Sequence, residues 1–161
     1  MGWKPPPDWP IVEPGLLMAG IDDVMFMYSD ATLSAKGAER QDVELGRVID
    51  LRPENSFVGV LYDAPSSSMS IDAKRRKRSA EVLDSRRAKL EKTTAGFALA
   101  SPSAMTRGIL RAVFWMAPPP YPYVIVDTVR DGLVYLRTKL PALDVDRVLA
   151  EYEALKRKHV R

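Results

Sequence analysis

The side chains able to do chemistry are few and scattered. Cysteine is absent, and the single histidine, His159, stands two residues from the end of the chain. That removes disulfides, thiol nucleophiles and thiolate metal sites together. A Ser-His-Asp triad or a multi-histidine metal site would need a rigidly held imidazole, and a terminal segment is a poor place for one. Four carboxylates, Asp22, Asp23, Asp30 and Asp63, fall near the ends of strand-like segments. Sites in α/β sheets often lie at strand ends, yet acidic residues are common there for turn chemistry alone. "GLLMAG" lacks the Lys-Ser/Thr of a phosphate-binding loop. No cluster names a reaction, so the chain reads as a protein that is not an enzyme, with no metal and no cofactor.

Two constellations point instead to binding. The first is "KRRKR", Lys74 to Arg78, in a segment that carries nine basic and three acidic residues between Lys74 and Lys92. Lys74, Arg75, Arg78, Arg86 and Lys89 are expected to be mostly solvent-exposed and to form a protein-binding surface; the competing reading is a helix face that the charges merely keep solvated. No aromatic residues interleave with the run and no nucleic-acid signature accompanies it, so a nucleic-acid partner is not expected. The second is Ser101, Ser103 and Arg107 at a helix start. Free N–H groups, the helix dipole and a guanidinium could hold an anion there; the simpler reading is an ordinary cap with a surface arginine.

The elements that position these residues follow from hydropathy patterning. The chain has 161 residues, 46% hydrophobic and 28% charged, enough for one domain with a sizeable core. Its apolar runs are too short to span a bilayer, and "MGWKPPPDWP" lacks a signal-peptide pattern. A cytoplasmic address is therefore expected. Residues 1–63 carry 5 basic and 11 acidic side chains, a net charge of −6; residues 64–161 carry 19 and 10, a net of +9. Such a split can steer protein partners, including copies of the same chain.

Residues 1–15 hold five prolines and two tryptophans and read as an extended arm that Trp3 and Trp9 could pin to the domain surface, adding little to the core. "LLMAG" and "DVMFMYSD" read as a strand pair, and the segment around Val43, Leu45, Val48 and Ile49 as a helix stopped by Pro53. "FVGVLYDA" and "AGFALAS" read as strands buried on both faces. One long helix is expected from Ile71 to about Thr93, capped by Ser70, with Asp72 in its first turn and Ala73, Ala80, Leu83 and Leu90 inward. Ser101-Pro102 reads as the start of the next helix, with Met105, Ile109, Leu110, Val113, Phe114 and Met116 as its buried face. Three prolines then force an extended crossover into "YVIVD". Thr128 and Asp131 cap a further helix with Val129, Leu133 and Leu136 inward. Beyond Pro141 an amphipathic helix places Val145, Val148, Leu149, Tyr152 and Leu155 on one face, to pack on the domain or on a second subunit.

Alternation of short apolar strands with helices predicts an α/β protein, a small mixed β-sheet of about four to five strands flanked by helices. The expected organisation is an arm over 1–15, the α/β domain over 16–140 and a C-terminal helix over 141–161. From about Gly20 to Lys139 the chain resembles the STAS-like family, whose best-known members are bacterial anti-sigma-factor antagonists, and in particular its divergent small bacterial subgroup. The resemblance is carried by "FVGVLYDA", "KRRKRSAEVL", "AGFALASPSAMTRGILRAVFWM" with its prolines, and "VIVDTVRDGLVYL". It implies a small mixed sheet with packed helices. It also implies a non-catalytic role in bacterial signalling or regulation, through protein–protein interaction. Phosphorylatable members carry an Asp-Ser pair at the start of the helix after the second core strand. Here the loop is "DAPSSSMSID", with Ser66, Ser67, Ser68 and Ser70 but no such pair, so no phosphosite carries over. Some relatives bind nucleotides or small ligands, and the alternative function is a small-ligand or nucleotide-binding protein of the same fold.

If Phe57–Tyr62 and Gly96–Ala100 are central strands, Leu61→Asp buries an unpaired charge. Thermal unfolding should then show a loss of several kcal/mol, enough to unfold a marginal domain; an unchanged melting temperature would refute the topology.

Overall fold

The structure, a computed structural model, describes residues 3–65 and 73–160, excluding the side chains of 73, 75 and 76. The chain opens with β1 (Ile11–Glu13), β2 (Leu16–Ile21) and β3 (Val24–Ser29). These form an antiparallel meander, with Pro14-Gly15 and Asp22-Asp23 at its two turns. Ser34 caps α1 (Ala35–Asp50) by accepting the Gly37 N–H, and β4 (Val58–Asp63) then lies parallel to β3. Next come α2 (Ala73–Asp84), α3 (Arg87–Thr93) and β5 (Thr94–Ala100), the last parallel to β4. The chain continues through α4 (Ala104–Met116), β6 (Tyr123–Val126), α5 (Val129–Arg137) and α6 (Val145–His159). The fold is α/β, and the six strands of its mixed sheet lie in chain order, β1 to β6. The two segments expected to be central are interior strands.

The sheet's faces are covered by different helices. Met18, Met25, Met27, Val58 and Val60 project toward Val48 and Ile49 of α1 and Leu90 of α3. Leu99 and Ile125 meet Leu110 of α4 on that same face. On the opposite face Phe26, Leu61 and Ala98 pack with Leu133 and Leu136 of α5 and Val145, Val148 and Tyr152 of α6. Tyr152 stacks on Phe26 at 4.3 Å between ring centroids and donates a 2.7 Å hydrogen bond to Asp63. Lys156 also donates to Asp63, at 2.9 Å. Burial first, then the neighbouring Asp63 carboxylate, push the Tyr152 phenol far above its ordinary range. The last helix therefore belongs to the domain core, which settles the choice between the domain and a second subunit.

Several sequence expectations need correction. The sheet has six strands, because β1 adds an edge strand from the segment expected to be an arm. That segment is also anchored: Trp3 is buried and joins the methionine-rich core cluster. Its N–H donates to Asp23 at 3.0 Å, and Trp9 Nε1 donates to Glu44 at 3.3 Å. A Cβ on Gly20 would lie within 2.8 Å of Pro5 and Trp3 atoms, so the glycine lets the arm lie directly on β2. The long basic helix is two helices. Between them the Arg86 N–H turns back to Leu83 O at 3.0 Å, and Ser85 Oγ donates to Val82 O at 3.1 Å. Such local side-chain bonding competes with helix continuation. Ser70 and Asp72, expected to start that helix, lie outside the described residues. Ala80, expected to face inward, is exposed, as is Val43 of α1. Ser103, not Ser101, caps α4, accepting the Thr106 N–H at 3.2 Å, and Pro102 stays outside the helix.

A chain beginning at Gly15 should lose β1 and the Trp3 anchor and melt well below the full-length protein. Trp3→Ala alone is expected to cost about 3–5 kcal/mol in urea unfolding; a cost below 1 kcal/mol would show the arm to be peripheral.

Candidate functional site

The basic helix does not stand free. Arg78 Nε pairs with Asp42 of α1 at 2.8 Å, and Arg78 Nη1 with Glu39 at 3.4 Å. Ser79 Oγ donates to the second Asp42 oxygen at 2.9 Å. Arg86 Nε pairs with Asp50 at 2.9 Å, and Lys89 Nζ donates to Asp50 O at 2.6 Å. A Cβ on Gly46 would stand 2.8 Å from Arg86 Nη2, so α1 needs glycine there for the guanidinium to lie across it. Much of the charge split seen in the sequence is thus used inside the fold, to hold α2 and α3 against α1. Of the five cations expected on an exposed surface, Lys74 is exposed, while Arg78, Arg86 and Lys89 are half-buried and engaged. The side chain of Arg75 lies outside the described residues.

Ser101, Ser103 and Arg107 do come together at the start of α4. Several of their polar atoms serve the helix start itself: Ser103 N–H donates to Ser101 Oγ at 3.4 Å, Ser103 Oγ accepts from Thr106 N–H, and Arg107 Nη1 donates to Ser101 O at 2.8 Å. Ser101 is fully buried. The strand-end carboxylates do not converge either. Asp22 pairs with Arg147 of α6, Asp23 holds Trp3, Asp30 accepts from Tyr28 and Thr32, and Asp63 is taken by Tyr152 and Lys156.

Two features that sequence reasoning missed carry more. The first is the outer face of α4. Of the six residues expected to be buried, only Leu110 is, and Phe114 is half-buried. Met105, Ile109, Val113 and Met116 are exposed, Met105 to 73% and Met116 to 82%; Trp115, at 85%, projects from another side of the helix. Their spacing of four, four and three residues makes one continuous apolar ridge beside the packed stripe. Periodicity marks both stripes as apolar and cannot tell which one the sheet takes.

The second is a cavity of about 480 Å³ on the α1–α4 face of the sheet. Met25, Met27, Val60 and Phe97 form its floor; Leu45 and Ile49 of α1, Leu83 of α2 and Leu90 of α3 form one wall. Phe114 and the Pro118–Tyr121 crossover form the other. Exposed lining residues, Ala80, Asp84 and Arg87 on one side and Val113, Ala117 and Pro118 on the other, mark the mouth between α2–α3 and the end of α4. Inside lies Arg52, only 2% exposed. Its Nη1 donates to Thr93 and Thr94 Oγ1 at 3.3 and 3.1 Å, while Nε and Nη2 have no partner among the described residues. Burial brings the guanidinium down to about 10, opposed by Tyr121, and burial pushes the Tyr121 phenol up. In the sequence Arg52 is a lone cation before a helix-stopping proline. Nothing local announces that Thr93 and Thr94, some forty residues on, will close over it.

Replacing an unpaired buried cation by an apolar residue of similar length is often neutral or stabilising. Arg52→Met should hold or raise the melting temperature of the protein; a fall of more than a few degrees would show that the guanidinium's bonds to Thr93 and Thr94 hold the core together. No protein-family model, no curated protein and no solved structure matches this chain.

Proposed function

We propose that this protein is a non-catalytic interaction module in bacterial signalling or regulation, acting in the cytoplasm through contact with another protein. The observation that carries this reading is the apolar ridge of α4. Large apolar side chains displayed in one contiguous stripe are what a partner surface buries. Methionine, a residue type enriched at interfaces, supplies two of the ridge's four positions, Met105 and Met116. The resemblance read from the sequence between about Gly20 and Lys139 is in keeping with the same role. Among those residues no helix is long and apolar enough to cross a membrane. Arg87, exposed at the cavity mouth across from Val113 and Ala117, would favour an acidic partner.

A second reading, binding of a small ligand, is favoured by the cavity and by Arg52 within it. Its size suits a small molecule, and its apolar walls with few polar groups are the common make-up of such sites.

Ile109→Glu and Met116→Glu alter only exposed positions and should leave folding stability within about 0.5 kcal/mol. A photo-reactive residue at position 105, introduced in the source cell, should give a discrete covalent protein adduct that the double variant abolishes. The same group at Glu91 serves as control. An adduct pattern unchanged by the double variant would place the contact surface elsewhere.

A further inference from the structure

We propose that the cavity takes a monocarboxylate with an apolar body, its two oxygens paired with Nε and Nη2 of Arg52. This rests on the ligand-binding reading of the cavity and adds the chemical class of the occupant. Nε and Nη2 form one edge of the guanidinium, the edge that meets both oxygens of a carboxylate in parallel. Both are unpartnered among the described residues and covered from solvent, so a carboxylate would reach them as the side chains over that edge shift aside. A desolvated cation without an anion is costly, and a bound carboxylate would supply both the missing charge and the missing acceptors.

Charge and shape narrow the class further. Arg52 is the cation at the base of the cavity, and Asp42 and Asp84 line the same space. A dianionic phosphate would bring one negative charge more than Arg52 balances inside the cavity, since the other lining cation, Arg87, stands at the mouth, where Asp84 also lies. Met25, Met27, Ile49 and Leu90 offer only apolar contact to the rest of the ligand. Methionine side chains adapt to bodies of differing outline, which suits an aliphatic chain. Arg87, exposed at the mouth, provides a first electrostatic contact for an incoming anion.

Decanoate, decanol and decyl phosphate, each kept below its micelle concentration, test this on the full-length protein. Binding is read by calorimetry and by the methyl NMR signals of ¹³C-methionine-labelled protein. Decanoate should shift the Met25 and Met27 methyl signals and leave that of exposed Met105 in place, and should bind about tenfold or more tighter than decanol. Arg52→Met should erase that preference and bind the two alike. Arg52→Lys, which keeps the charge but loses the paired edge, should fall between. Equal binding of decanol and decanoate by the wild type would leave a ligand cavity but overturn the carboxylate assignment. Tighter binding of decyl phosphate would overturn the monoanion. If none of the three moves Met25 or Met27, the assignment fails together with the ligand-binding reading on which it rests.

Discussion

A parallel sheet that grows in one direction puts every right-handed crossover on the same face. From β3 to β6 this sheet does that, and α1, α2–α3 and α4 all lie over one side of it. Most of the remaining architecture answers to that constraint. The opposite side has no crossover to cover it, so α5 and α6 fold back across Phe26, Leu61 and Ala98. The crowded side has to fit its helices over four strands. α1 and α2–α3 close on each other through Arg78–Asp42 and Arg86–Asp50, while α4 reaches the sheet mainly through Leu110 and Phe114. The space left between the two groups is the cavity.

The charge asymmetry of the sequence takes on its meaning here. The carboxylates Asp42 and Asp50 of α1 meet Arg78 and Arg86 of the basic segment after it, so opposite charge fixes how these helices lie together. Asp42 is buried and accepts from both Arg78 and Ser79. Pairing of that kind is worth more than an exposed ion pair, because leaving the carboxylate unpaired would be costly. What looked in the sequence like an outward-facing surface is in large part a seam.

Strands and helix order were legible because apolar runs such as "VGVLYD" and "AGFALA" have strand length and lie between turn and cap signals, the pattern of strands buried on both sides. Thr128 and Asp131 held as read. Burial of α4 was not legible: Met105, Ile109, Val113 and Met116 follow helical periodicity as faithfully as Leu110 and Phe114, and periodicity carries no sign of which arc meets the sheet. The arm was misread because composition alone describes "PPPDWP" as extended; that its extension adds β1 and seats Trp3 depends on Gly20 and Asp23, distant in sequence. Arg52 was invisible for the same reason. Its setting is made by Thr93 and Thr94, and burial of a cation is a property of the assembled fold.

The contact of Tyr152 with Phe26 and Asp63 has a consequence for the chain as it is made. Residues 26, 61 and 63 leave the ribosome long before residue 152 does. The α1–α4 side of the sheet can assemble while synthesis continues, at about 5–20 residues per second. The α5–α6 side cannot: Leu61 waits for α5, and until α6 emerges Phe26 lacks its stacking partner and Asp63 its hydrogen-bond donors. For those few seconds the nascent chain is a half-covered sheet, the kind of surface that chaperones hold, and completion of the domain falls to its last helix.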